Sequence, residues 1–292
     1  MEDFGSQSMA RTLQRVLMRR PGASLQSADP EQWHYGPTFD PAKAIDQYAA
    51  FSSLVMASGS DILWMNDAGD GLADAMFTHD PSLVSNAGAI LLNMGKKLRR
   101  AEVDAHERAY RSARIPILGR VVDPGTVEGG DCVWLDEKTL VIGRGVRSNE
   151  AGIAQVRAML SVHGIEVLGF DLPLWHGENA CLHLMSVISP LDDDLALVFA
   201  PLLPAPFYQL LKARNIALIE APADEFHASS GLSLNVLALA PRSAIMISGF
   251  DATRRALDAA GCRVSTFAGD ALCIACEGGP TCLTRPILRQ AS

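Results

Sequence analysis

Positive charge is in short supply: 25 Lys and Arg stand against 33 Asp and Glu in 292 residues, a formal net charge of −8. A nucleic-acid binder ordinarily carries a basic face, so the balance argues against that partner and suits a small cationic ligand. No basic-then-apolar leader opens the chain, and every long apolar run is interrupted by charge, proline or glycine. Neither a signal peptide nor a membrane span is expected, and the cytoplasm is the expected compartment. Cysteine is sparse and scattered, at positions 132, 181, 262, 273, 276 and 282. Such a set does not make a disulfide scaffold in a chain this long, and it suits a reducing environment. Cys273 and Cys276 have the spacing of a metal half-site, but no second ligand pair matches them. No metal or other cofactor is therefore expected, and the pair is assigned to a strand.

What is present is ordinary globular material, 48% hydrophobic and 20% charged, enough to bury a substantial core. Residues 10–292 are expected to form one domain, and the polar residues 1–9 a disordered or appended lead. Residues 12–19 pattern as a strand, 23–39 as a loop, 40–58 as a helix opened by Asp40 and Pro41, and 61–65 as a strand.

A unit then recurs. Strands are expected at 75–84 and 89–92, a helix at 99–113 and a strand from 115 to 118. The same order of strand, hairpin, strand, helix, strand returns at 131–168, 182–219 and 234–267. Asp80, Asp131, His183, Asn235 and Cys282 mark successive first strands at intervals of about 50 residues, the range of propellers and arrays. The last strand, around Cys282, lacks its partners, and the elements at 12–65 supply them. The fold class is thus α/β, a five-bladed α/β propeller of ββαβ units whose ring is closed by N- and C-terminal strands, leaving no exposed sheet edge.

Ring closure has a chemical consequence. Cys282 follows Gly278-Gly279-Pro280, a turn that leaves a thiol accessible to a base. Equivalent first strands converge on one axis, so Asp80, Glu128 or Asp131, His183 and Cys282 are expected to meet in a central pocket.

Glu128-Gly-Gly-Asp131, Gly143-Arg-Gly-Val-Arg-Ser-Asn149, Leu182-His-Leu184, Asn235-Val-Leu237 and Gly278-Gly-Pro-Thr-Cys282, in this order at blade spacing, resemble the guanidine-modifying (amidinotransferase/arginine deiminase) superfamily. Its fold is the five-bladed propeller called the pentein. Within it, Asp74-Ala-Met-Phe-Thr-His-Asp80 is similar to the substrate-loop strand of the dimethylargininase family. His183-Leu-Met185 lacks the His-x-Asp aspartate of deiminases and amidinotransferases, which leaves room for a substituted guanidine nitrogen. His79 stands where dimethylargininases have a carboxylate, and residues 20–39 match no lid of that family.

The resemblance implies a cysteine hydrolase acting on an arginine-derived guanidine without metal, nucleic acid or membrane, and it leaves room for a homodimer. Cys282 would be nucleophile, His183 general acid and base, and Glu128 the group that orients His183. Asp80 and Asp74 would face the substrate. Arg99 and Arg147, each nineteen residues after an acid of the site (Asp80 and Glu128), would take its carboxylate. Asp131 either serves the guanidinium or braces the Glu128 turn. Arginine deiminase, arginine dihydrolase and amidinotransferase activities are the alternatives within the superfamily. A non-catalytic binding module on the same ring, as in a ribosome-binding translation factor, is the alternative outside enzymology.

Overall fold

The computed structural model describes residues 3–66, 70–177 and 181–291. β1 (Leu13–Arg19) leads through α1 (Ala23–Gln26), α2 (Pro30–Trp33) and α3 (Pro41–Ala57) to β2 (Asp61–Met65). The first ββαβ unit is β3 (Ser82–Ser85), β4 (Gly88–Leu91), α4 (Glu102–Ser112) and β5 (Ile117–Arg120). The second is β6 (Cys132–Asp136), β7 (Thr139–Arg144), α5 (Glu150–Ser161) and β8 (Glu166–Asp171). The third is β9 (Ile188–Asp192), β10 (Leu195–Val198), α6 (Ala205–Ala213) and β11 (Ala217–Glu220), with α7 (Ala223–Ala228) after it. The fourth is β12 (Leu237–Ala240), β13 (Ser243–Ile247), α8 (Asp251–Ala259) and β14 (Arg263–Phe267), and β15 (Arg285–Arg289) ends the series.

These strands form five three-stranded sheets. In each, a first strand runs antiparallel to the middle one, which pairs in parallel with the strand after the helix. The fifth sheet has the order β15-β1-β2 and joins the two ends of the chain, with Leu13 opposite Arg289 and Leu17 opposite Arg285. The repeat visible in the sequence is therefore a five-bladed α/β propeller, and its last blade is assembled from both termini. Helices cover the blades with one apolar face. On α5, Asn149 caps the first turn by accepting from Gly152 N, and Ile153, Val156 and Leu160 recur at helical spacing, all fully buried. Among the described residues no helix is long and apolar enough to cross a membrane.

Several boundaries differ from expectation, for one reason. The first strands were expected to contain Asp80, Asp131, His183 and Cys282, yet each strand starts after its functional residue. Residues Ala73–Met76, Gly129–Asp131 and Leu184–Ser186 are 3-10 turns, whose backbone groups bond locally or to side chains instead of to a ladder. Cys273 lies in a π-helical turn, Asp270–Ile274, with Cys276 just beyond, not on a strand. Residues 23–39, expected as loop, hold two short helices; Asp29 caps α2 by accepting from Glu31 N.

The lead also differs from expectation where it is described. Gly5 N donates to Ile287 O at 2.8 Å, Arg289 N donates to Gly5 O at 2.9 Å, and Gln7 Oε1 accepts from Asn86 N at 2.6 Å. Residues 5–7 thus extend the pairing of β15 and reach the turn after β3. Met1 and Glu2, the first part of that lead, lie outside the described residues.

Candidate active site

The five first strands share a direction, so the segments preceding them gather at one end of the ring. Asp80 precedes β3, Glu128 β6, His183 β9, Asn235 β12 and Cys282 β15. Residues separated by half the chain become neighbours through blade symmetry alone.

Glu128 is fully buried, and its Oε2 lies 2.8 Å from His183 Nε2. Its other oxygen accepts from Lys96 N at 2.9 Å, and Arg147 Nη1 approaches Oε2 to 3.2 Å. Burial opposes the charge of Glu128, but the contacts with His183 and Arg147 hold its carboxyl below the usual range. Burial likewise opposes the charge of His183, yet Cys181, Asp131 and Glu128 raise its pKa well above the ordinary value. These contacts favour the imidazolium form of His183. With Nε2 pinned by Glu128, Nδ1 is the nitrogen left for proton exchange.

Cys282 is partly accessible, and its Sγ receives a contact from Asn235 Nδ2 at 3.4 Å. Asn235 Oδ1 accepts from Thr281 N at 3.0 Å, so this side chain fixes both the cysteine turn and the sulfur. Its placement among the five repeating positions is visible in the sequence; its bond to Cys282 is not. Burial and the nearby Asp80 raise the thiol pKa, outweighing the Gly279 backbone and His183. Burial and Asp80 thus favour the neutral thiol at Cys282, while the acids around His183 favour its imidazolium. A cation entering against Asp80 cancels the negative field that opposes thiolate formation.

Asp80 is buried; its Oδ1 accepts from Gly130 N at 2.9 Å and its Oδ2 from Arg99 Nη1 at 2.6 Å. Burial would neutralise it, but Arg99 and His183 hold its carboxyl well below the usual range. Arg99 itself corrects an expectation. Its Nε and Nη2 bind Glu102, Nη2 also donates to Phe77 O at 2.8 Å, and it is 5% exposed. With every nitrogen engaged, it braces Asp80 and is not free for a substrate carboxylate. Asp131 resolves toward bracing as well: Oδ2 accepts from Ser148 Oγ at 2.5 Å and Oδ1 from Leu184 N at 3.0 Å. It holds the backbone beside His183, and burial raises its pKa to about 6.

The rim is made by Asp74, Lys96, Tyr35 and Arg147. Asp74 accepts from Tyr35 OH at 2.9 Å and from Lys96 Nζ at 2.7 Å. Lys96 and Tyr35 were not singled out in the sequence, because nothing in a lysine-rich run or an aperiodic loop marks its partner. His79, buried, donates Nδ1–H to Thr284 O at 2.8 Å and has its pKa lowered to about 3 by burial, so it is neutral. Cys181 was also unanticipated: its Sγ lies 3.4 Å from His183 Nε2. Cys181, His183 and Glu128 place donors within 4.8 Å of one another, close enough to share a metal ion, although Nε2 and Oε2 already satisfy each other.

Gly129 and Gly130 allow this convergence. A methyl on Gly130 would sit 2.7 Å from His183 Nδ1 and 3.1 Å from Asp80 Oδ1, so both atoms face one small space. On Gly129 it would sit 2.1 Å from His79 O. Gly130→Ala is expected to displace the imidazole and lower kcat roughly 10²-fold, measured by steady-state kinetics on folded protein.

The arginine deiminase family model matches residues 69–205. The N(G),N(G)-dimethylarginine dimethylaminohydrolase of Streptomyces coelicolor is 29% identical over 235 residues, 80% of this chain and 85% of that protein. In fold, the chain is similar to the Pseudomonas aeruginosa dimethylarginine dimethylaminohydrolase solved with citrulline, at TM-score 0.73, 23% identity, and 94% and 98% coverage of this chain and that one. It is also similar to SxtG, an amidinotransferase of the Microseira wollei saxitoxin pathway, at TM-score 0.80, 16% identity, and 99% and 98% coverage. The chain thus has the fold of these two solved structures and resembles in sequence the arginine deiminase model and a dimethylarginine dimethylaminohydrolase.

Proposed function

We propose that the protein hydrolyses Nω-methylated arginine, converting dimethylarginine to citrulline and dimethylamine. The observation that carries this is the convergence of Cys282, the His183–Glu128 pair and Asp80 at one end of the ring. As a hydrolase of guanidine C–N bonds it needs a nucleophile, a proton carrier and an anion facing the cation, and these three side chains are of those types.

In this reading Asp80 holds the guanidinium, and the bound cation favours the Cys282 thiolate, whose proton leaves to solvent. The thiolate attacks the central carbon, forming the S–C bond and a neutral tetrahedral adduct. His183 gives its Nδ1 proton to the dimethylamino nitrogen, the C–N bond breaks, and a cationic S-alkylthiouronium remains on the enzyme. Water then attacks the same carbon and passes a proton to His183; the S–C bond breaks, Cys282 returns as thiol, and citrulline departs. Glu128 stabilises the imidazolium throughout. Asp74 would meet the substrate α-amino group and Arg147 its carboxylate, with Asp131 acting through the His183 backbone. The six free cysteines suit a cytoplasmic setting.

Met185 occupies the position of the second guanidinium-gripping acid in deiminases, which favours a methylated substrate over arginine. Incubation with asymmetric dimethylarginine, monomethylarginine, arginine and an amidine acceptor, with citrulline, ammonia, ornithine and transferred amidine measured by mass, is the deciding experiment. Citrulline from methylated substrate is the expected product. Ammonia from arginine alone, ornithine, or no product from reduced enzyme would each sink the proposal.

A further inference from the structure

Asp80 faces a difficulty as a cation holder. It is already paired with a buried arginine, and a buried Asp–Arg pair is neutral. A neutral pair offers a second cation little attraction in return for its lost hydration. Glu102 alters this balance. It is the first residue of α4, 1% exposed, and grips Arg99 with both oxygens: Oε1 lies 3.0 Å from Nε and Oε2 2.9 Å from Nη2. Arg99 Nη1 reaches from the same guanidinium to Asp80 Oδ2 at 2.6 Å. The three side chains form one buried line, acid–base–acid.

The surrounding charges make Glu102 decisive. On this side of the site Asp74, Asp80 and Glu102 face Lys96, Arg99 and Arg285; Lys96 Nζ is held by Asp74 at 2.7 Å, and the buried Arg285 donates Nη2–H to His79 O beside Asp80. On the other side Glu128 and Asp131 are matched by His183 and Arg147. The three acids therefore balance the three bases only while Glu102 is an anion, and without it Asp80 would stand among an excess of positive charge; burial raises the Glu102 carboxyl to about 7 against the pull of Arg99, so the balance is complete only above that pH.

We propose that Glu102 is a positioning residue for guanidinium recognition: by taking up the charge of Arg99, it leaves Asp80 anionic toward the substrate. This rests on the reading of Asp80 as the guanidinium holder given above. It differs from a merely structural role in one measurable way. A structural strut supports any ligand of the right shape, whereas a charge balance distinguishes a cation from its neutral isostere.

Arginine derivatives and citrulline supply that pair, being nearly equal in shape and different in charge. Binding of dimethylarginine and citrulline is measured by titration calorimetry on full-length Cys282→Ser protein, which does not turn over. Adding Glu102→Gln is expected to weaken dimethylarginine about 10-fold or more and to leave citrulline within about 2-fold. The double change Arg99→Gln with Glu102→Gln removes one charge of each sign and is expected to recover part of the dimethylarginine affinity lost in Glu102→Gln, the guanidinium brace of Asp80 being lost with Arg99; it also guards against misfolding from a buried unpaired arginine. Equal weakening of both ligands, no weakening of either, or a double variant no better than the single one would overturn the proposal. If the Cys282→Ser parent binds neither ligand, the guanidinium reading of the site fails first and takes this inference with it.

Discussion

Cys282→Ser is expected to lower citrulline formation about 10⁴-fold or more while leaving the protein folded and able to bind substrate. Serine is nearly isosteric and keeps the contact with Asn235 Nδ2, so the turn at Gly278–Thr281 is retained. What is lost is acidity. The Cys282 thiol is already raised by burial and by Asp80, and in the proposed mechanism the bound guanidinium offsets that rise. A serine hydroxyl starts several units higher, beyond what the same cation supplies. The change should therefore fall on kcat with little change in substrate affinity. Intact-protein mass spectrometry should show a covalent thiouronium on the wild type during turnover and none on the variant. A Cys282→Ser enzyme with more than about 1% of wild-type activity would remove the cysteine from the mechanism.

The same electrostatics predict a particular pH dependence. In the free enzyme the thiol is raised, and in the complex the bound cation lowers it. The acid limb of kcat should consequently lie at lower pH than the acid limb of kcat/KM. Activity should fall again at high pH, when His183 loses the proton it must donate; its pKa is raised well above the ordinary value by Cys181, Asp131 and Glu128 against the effect of burial. Limbs that coincide would argue against assistance by the substrate.

His183→Gln is expected to lower kcat about 10³–10⁴-fold, because dimethylamine is a poor leaving group without a proton and the thiouronium is slow to hydrolyse without a base. Its diagnostic is selective. A substrate analogue with an alkylthiolate leaving group departs without general acid, so the His183 variant should still form the covalent adduct and then accumulate it. Failure to label with such an analogue would mean that the histidine acts before, not after, thiolate attack. Glu128→Gln should weaken activity less, since Nε2 keeps a hydrogen-bond acceptor at 2.8 Å but loses the charge that stabilises the imidazolium. Its alkaline limb should shift to lower pH as that support disappears.

The sequence by itself determined the architecture and the chemical type. Five equal units with functional residues at one repeating position require a ring, because strands with no partner at one end of the chain find it at the other: Leu13 meets Arg289 and Leu17 meets Arg285. A ring in turn brings Asp80, Glu128, His183 and Cys282 to one end, whatever the details of the blades. The tertiary structure decided which polar atoms are already spoken for. Arg99 and Arg147 have the same spacing from an acid in the sequence, yet Arg99 is consumed by Asp80, Glu102 and Phe77 while Arg147 stays at the rim, its side chain one-fifth exposed. Asp131 reads in the sequence as either an acid toward the guanidinium or a brace of the Glu128 turn, and Ser148 and Leu184 occupy both its oxygens. Periodicity reports which face of a blade a residue occupies; hydrogen-bond satisfaction depends on atoms from other blades, tens of residues away, and on how much water is left between them. Residues 5–7 show the same limit, since polar composition alone did not reveal that backbone groups would extend β15. Chemistry of a site follows from residue type and repeat position, whereas the charge it presents follows from burial and pairing, and those exist only in the folded ring.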